Sequence, residues 1–171
     1  MPPQAIFGTH LVLGYVAALL ALGAYALPAL KSMDRVDALR AIATLHSFRF
    51  FGLIFILPGV VGPNLPAAFA TFAAYGDFAT GVLALLALLT VRARTLFWTF
   101  VVAFNVVGSI DIIVDYYHGI QLNIGSIAGQ LGGGYAIVTL YVPALMITHV
   151  VAFYLLTRPH EQPVLRAETA H

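Results

Sequence analysis

The chain has 171 residues, 61% of them hydrophobic and only 9% charged, with a formal net charge of +1. A soluble domain carries about 25% charged residues, so a chain with mean hydropathy +0.94 has too few polar groups to cover a water-facing surface. The charge balance, with no basic cluster, excludes a nucleic-acid partner, and the absence of cysteine excludes disulfides, thiolate metal sites and Cys nucleophiles.

Five apolar segments reach the ~20 residues needed to cross a bilayer. They lie near 5–30, 39–61, 67–91, 95–118 and 135–157. No strand-like alternation and no internal repeat competes with them. The fold expected is an all-α integral membrane protein of the cell membrane, a five-transmembrane-helix bundle forming one domain over 1–157. The N-terminus has no basic stretch before its apolar run and is read as a retained span, not a cleaved leader.

The basic residues set the orientation. Lys31, Arg35 and Arg40 lie between the first two spans, Arg92 and Arg94 between the third and fourth, and Arg158 and Arg166 after the fifth. Every Lys and Arg except Arg49 thus falls on one side of a five-span arrangement. The positive-inside rule puts that side in the cytoplasm, with the N-terminus outside. The polar tail 158–171 is then cytoplasmic and expected to be poorly ordered.

In the first span, Gly14, Ala17, Ala18, Ala21 and Ala24 form a small-residue stripe suited to close helix approach. His10 precedes Gly14 by one turn, near the outer end, where an interfacial role is the plain reading. Asp34 can cap the helix that follows the first loop. In the second span His46 and Arg49 share a face, about 10 and 15 Å from the inner edge by helix rise. Arg49 is always charged, so near mid-membrane it needs a carboxylate, carbonyls, water or an acidic ligand group.

Pro58-Gly59 bends or ends the second span. Asn64 and Pro66 read as a helix start. A short interfacial helix carrying Phe69, Phe72 and Tyr75 is expected to bend into the third span at Gly76, with one long tilted span as the alternative. Asp77 then lies just inside, where capping or an interfacial position explains it. The fourth span carries Asp111, Asp115 and His118 within roughly 60° of one another, and Asn105 on a different side. The loop 119–133 is uncharged and glycine-rich, and reads either as a mobile outer flap or as a re-entrant piece. The fifth span places His149 about 12 Å from the inner edge.

Two clusters emerge. His10, Asp77, Asp111, Asp115 and His118 all fall in the outer half, above Arg49. They are the candidate ligand-binding set, in a pocket opening outward between the first, third and fourth spans with Arg49 at its floor. The same set can hold a divalent metal or relay protons, although no metal or triad motif is present. In the plainer reading, Asp115 and His118 meet outer water while Asp111 pairs with Arg49 to bind helices together. The second cluster, His46 and His149, sits at matched depth on antiparallel spans. It reads either as a b-type haem ligand pair or as hydrogen-bond bridges.

The function expected is binding or translocation of a small polar or amphipathic ligand or a cation. The alternatives are haem-based electron transfer, a membrane metal-dependent hydrolase or isomerase, and an accessory subunit of a membrane complex or homo-oligomer.

Overall fold

The computed structural model describes residues 1–158, and the expectation for the tail beyond lies outside them. The described residues are mostly helical, and five helices are long and apolar enough to cross a membrane. They are α1 (Pro3–Ser32), α2 (Arg35–Ile56), α3 (Ala67–Leu89), α4 (Arg94–Gln121) and α5 (Gly134–Thr157). A 3₁₀ segment, Ile124–Leu131, lies between α4 and α5.

Each helix end has a local cause. Asp34 caps α2 by accepting from the Asp37 amide at 2.9 Å. The second half of α2, Phe48–Ile56, tightens to 3₁₀ winding and stops before Pro58, which lacks the amide to continue it. Gly59 then turns the chain with φ +81°. The helix therefore ends short of the expected 61, although Val60 and Val61 are apolar. Pro66 precedes the first residue of α3, where its missing amide costs nothing. The bend expected at Gly76 does not occur. α3 runs unbroken through that position, and Gly76 instead leaves the room occupied by an Asp111 carboxylate oxygen.

The π-helical turns in α1 and α5 follow the same logic. Leu22–Ala26 precedes Pro28 and Ile137–Tyr141 precedes Pro143. A proline removes the bond to the carbonyl four residues back and collides with it, and a wider turn relieves both effects. In α5 the carbonyl so released is that of Thr139. Gly14 of α1 lies directly against it, with no space for a Cβ. This is where the small stripe of α1 is used. Gly14 is the buried residue of Pro3–Ala21, while Ala17, Ala21 and Ala24 stay exposed.

Helices α2, α3 and α4 form the tight part of the bundle, α5 packs on α2 and α4, and α1 leans on α5 and the 3₁₀ segment. The interior has two apolar clusters. One, toward the end that carries Arg35, Arg92 and Arg94, contains Leu39, Ile42, Phe97, Val101, Phe104 and Leu155. The other, toward the opposite end, contains Phe55, Phe69, Ala73, Ile124 and Leu131. Buried polar residues lie between them: His46, Arg49, Asp77, Thr80, Asn105, Asp111 and His149. The outer surface carries large apolar side chains, among them Leu20, Leu89, Ile110, Ile113, Leu140 and Val150.

The loop after α4 is not a free flap. Gln130 ties it to the α2–α3 connection, accepting from the Gly62 amide at its carbonyl (2.8 Å) and from the Asn64 amide at its side chain (3.1 Å).

A matched pair of substitutions in α1 tests this packing. Gly14→Ala should destabilise by about 1–3 kcal/mol through overpacking against the Thr139 carbonyl. Gly8→Ala, where an added Cβ meets nothing within 4 Å, should stabilise by up to about 1 kcal/mol through helix propensity. Thermal unfolding of the two variants in one detergent should move in opposite directions.

Candidate functional site

The polar layer is built around Arg49, which is 1% exposed. Its Nε donates to Asp77 Oδ1 at 2.6 Å, and its Nη2 donates to Asp111 Oδ2. Nη1 is shared between the Gly108 carbonyl and His149 Nε2, each at 3.3 Å. All three guanidinium nitrogens are thus engaged, by partners from α3, α4 and α5. A charge this deep is tolerable only when it is paired and hydrogen-bonded throughout.

Glycines permit the approach. A Cβ on Gly108 would sit 2.6 Å from Arg49 Nη1 and 2.7 Å from His149 Nε2. On Gly81 it would sit 2.9 Å from the Phe50 amide nitrogen, and on Gly52 it would displace the Asp77 side chain. A side chain at any of the three would force the α2–α3–α4 contact apart.

The hydrogen bonds also fix the histidine tautomers. Asn105 Nδ2 donates to the Val101 carbonyl at 2.8 Å, so its oxygen accepts from His149 Nδ1–H at 2.9 Å. His149 Nε2 is then a lone-pair acceptor for Arg49. Thr148 donates to the Ala144 carbonyl at 2.8 Å, so its hydroxyl oxygen accepts from His46 Nε2–H at 3.0 Å.

The two rings lie 4.1 Å apart between centroids, tilted by 45°. The pair that the sequence places at matched depth does meet, but as touching, bridged rings. A haem would need the rings apart, with a ligating nitrogen of each facing an iron across a flat macrocycle. Here His46 Nε2 and both His149 nitrogens are already engaged by protein partners. The haem reading therefore does not fit this arrangement.

Above the layer is a cavity of about 450 Å³. Its wall comes from α1 (Phe7, Gly8, Leu11), α3 (Phe69, Ala73), α4 (Ile112, Tyr116), α5 (Val138, Val142), Phe55 and the 3₁₀ segment. The acidic side chains on the wall are Asp77 and Asp115. Asp115 Oδ1 is buried and has no hydrogen-bond partner, as is Asp111 Oδ1 just behind.

The five residues grouped by sequence therefore divide. Asp77 and Asp111 clasp Arg49, so Asp77 is an ion-pair partner and not a cap or interfacial residue. Asp115 faces the cavity, while Arg49 itself lies behind Asp77. His118 packs edge-on against the Phe72 ring, with centroids 5.3 Å apart, and is not on the cavity wall. His10 is exposed on another face of α1, where its Nδ1 meets the Tyr135 hydroxyl at 2.8 Å. Among the described residues no three His, Cys, Asp or Glu side chains converge to hold a metal, so His10, Asp111, Asp115 and His118 do not assemble as a metal set. Sequence reasoning placed Gly108 beside the aspartates and Asn105 on another side of the fourth span without giving either a role, and missed Thr148; the roles of all three depend on partners contributed by α5 and α2.

Removing Arg49 alone should be worse than removing the whole ion cluster. Arg49→Gln strands two buried carboxylates and should cost about 3–5 kcal/mol, whereas the triple variant Arg49→Gln, Asp77→Asn, Asp111→Asn leaves no unpaired charge and should recover much of the loss. Thermal unfolding across the set reads this directly. Additive losses would mean the three groups are not coupled. Protein expressed with added haem should show no Soret band.

A family model described as "Domain of unknown function (DUF8737)" matches residues 6–157. No curated protein and no solved structure matches the chain. The match runs from the first turns of α1 to the last residue of α5, and takes in both the Arg49 layer and the cavity. The chain is a member of the DUF8737 family.

Proposed function

We propose that this chain is a multi-pass cell-membrane protein that binds a small amphipathic molecule in the cavity above Arg49. The membrane placement is supported by the five long apolar helices and their outward-facing aliphatic side chains. The gathering of Lys31, Arg35, Arg40, Arg92, Arg94 and Arg158 at one end supports a cytoplasmic C-terminus and an outside N-terminus. At that end Arg35 lies over the Trp98 ring, 5.1 Å from its centroid, an arrangement suited to the headgroup region.

The cavity carries the functional reading. Small-molecule sites measure about 300–1,000 Å³ and have mostly apolar walls with a few polar groups that orient the ligand. This one, at about 450 Å³, has that composition, with Asp77 and Asp115 as the orienting groups. Binding is favoured over passage because the Arg49 layer and the packed cluster of Leu39, Ile42, Phe97, Val101 and Phe104 close the bundle beneath the cavity.

Two measurements test this. A cysteine at Gly129, exposed at the cavity end, should react with an impermeant thiol reagent on intact cells, whereas one at Ser32, at the basic end, should not. The reverse pattern would invert the orientation, and equal labelling would undo the five-span arrangement. Gly8→Leu should extend a side chain into the cavity without a clash at Cβ. Native mass spectrometry should then find a co-purifying small molecule on the parent protein and lose it in Gly8→Leu, with the melting temperature of the ligand-free protein little changed.

A further inference from the structure

We infer that the molecule this cavity takes is an organic cation, a primary or secondary amine carrying an apolar chain. The inference rests on the cavity being a binding site, and adds the chemistry of the ligand's head.

It starts from charge. Three carboxylates, Asp77, Asp111 and Asp115, gather at the polar end of the cavity and behind it. The basic side chain in ion-pair contact with any of them, among the described residues, is Arg49. One guanidinium balances one carboxylate. Asp115 has no basic group within ion-pair distance among the described residues, and its Oδ1 is buried without a partner.

Neighbouring side chains do not supply what is missing. His149 is held as a neutral acceptor by Arg49 and Asn105. His118 rests on Phe72, and His10 is bound to Tyr135 away from the cavity. Lys31, Arg35, Arg40, Arg92, Arg94 and Arg158 lie at the opposite end of the bundle. Asp115 is half-buried on a mostly apolar wall, and a carboxylate partly withdrawn from water with no protein partner is stabilised by a cation beside it. An amine head brings both the positive charge and the N–H donors that the Asp115 carboxylate, on the cavity wall, lacks.

The rest of the wall suits the remainder of such a molecule. Phe7, Phe55, Phe69 and Tyr116 line the cavity, and aromatic faces attract cations where water is excluded. Leu11, Ile112, Val138 and Val142 offer an apolar channel for a chain. A carboxylate or phosphate head would face Asp77 and Asp115 across a poorly solvated space, and is repelled.

The test uses three probes with one chain: octylamine, octanol and octanoate. Saturable binding to the full-length protein in zwitterionic-lipid nanodiscs is measured, and Gly8→Leu nanodiscs supply the background for partitioning into lipid. Octylamine is expected to bind saturably, to weaken at least about tenfold in Asp115→Asn, and to be retained in Asp115→Glu. Octanoate is expected to bind no better than background. If octanol binds as well as octylamine to the parent protein, the cation inference is overturned while the cavity remains a binding site. If no probe exceeds the Gly8→Leu background, the binding-site reading fails and the inference with it. Because the probe comparison within the parent protein is decisive by itself, a poorly folding Asp115→Asn does not obstruct it.

Discussion

The structure depends on satisfying one guanidinium. Arg49 cannot lose its charge, and its position in the middle of α2, between two apolar clusters, leaves no solvent to share that charge with. The surrounding helices supply the solvation instead. α3 brings Asp77, α4 brings Asp111 and the Gly108 carbonyl, and α5 brings His149. Each partner fixes where its helix can lie along and around α2. The register of four helices therefore follows from one side chain, and those registers bring Gly52, Gly76 and Gly108 against side chains and Gly81 against the backbone of α2, with no room for a Cβ at any of them. Apolar packing alone would not select this arrangement, since two smooth hydrophobic helices slide past one another at little cost.

The tight layer and the loose cavity are two consequences of the same allocation. Helices α2 to α5 are committed to Arg49 and to the apolar cluster at the basic end. α1 contributes nothing to the layer. It is held through Gly14 on the Thr139 carbonyl and by its contacts with the 3₁₀ segment. The space between α1 and the committed helices is where packing is incomplete, and Asp115, one turn beyond Asp111 on the same face of α4, is on its wall with Asp77. Regions with few buried contacts open at low free energy, so the α1 side is where the proposed ligand would enter while the layer stays intact.

Much of this was legible in the sequence. Apolar length gave the five helices, and the need of a mid-membrane Arg49 for a carboxylate made its pairing with Asp111 one of the two readings of the outer cluster. The second carboxylate was harder to see. Asn64, Pro66 and the aromatic run after them look interfacial, which places Asp77 near the surface if the chain bends at Gly76. The unbroken α3 carries it deeper, to Arg49. Asn105 was hidden because its side of α4 differs from that of the aspartates, and only the position of α5 makes that side interior. His10 and Gly8 are two residues apart and so lie on different faces of α1. One meets Tyr135 and the other meets the cavity, a choice made by packing and not by composition. The loop 119–133 carried no signal for its tether, since Gln130 acts through partners about 66 residues away.

The same allocation bears on whether such a molecule could pass through. Below the cavity the first obstacle is the ion cluster itself. Moving Arg49 aside would strand two carboxylates and its own charge, a penalty of several kcal/mol for each ion. The next obstacle is the cluster of Leu39, Ile42, Phe97, Val101 and Phe104, which offers no polar group to a charged head. A path would have to break both at once, whereas reaching the cavity from the α1 side breaks neither. Arg49 therefore acts as a floor by the same property that makes it a hub: its partners are buried, and all three of its guanidinium nitrogens are already engaged.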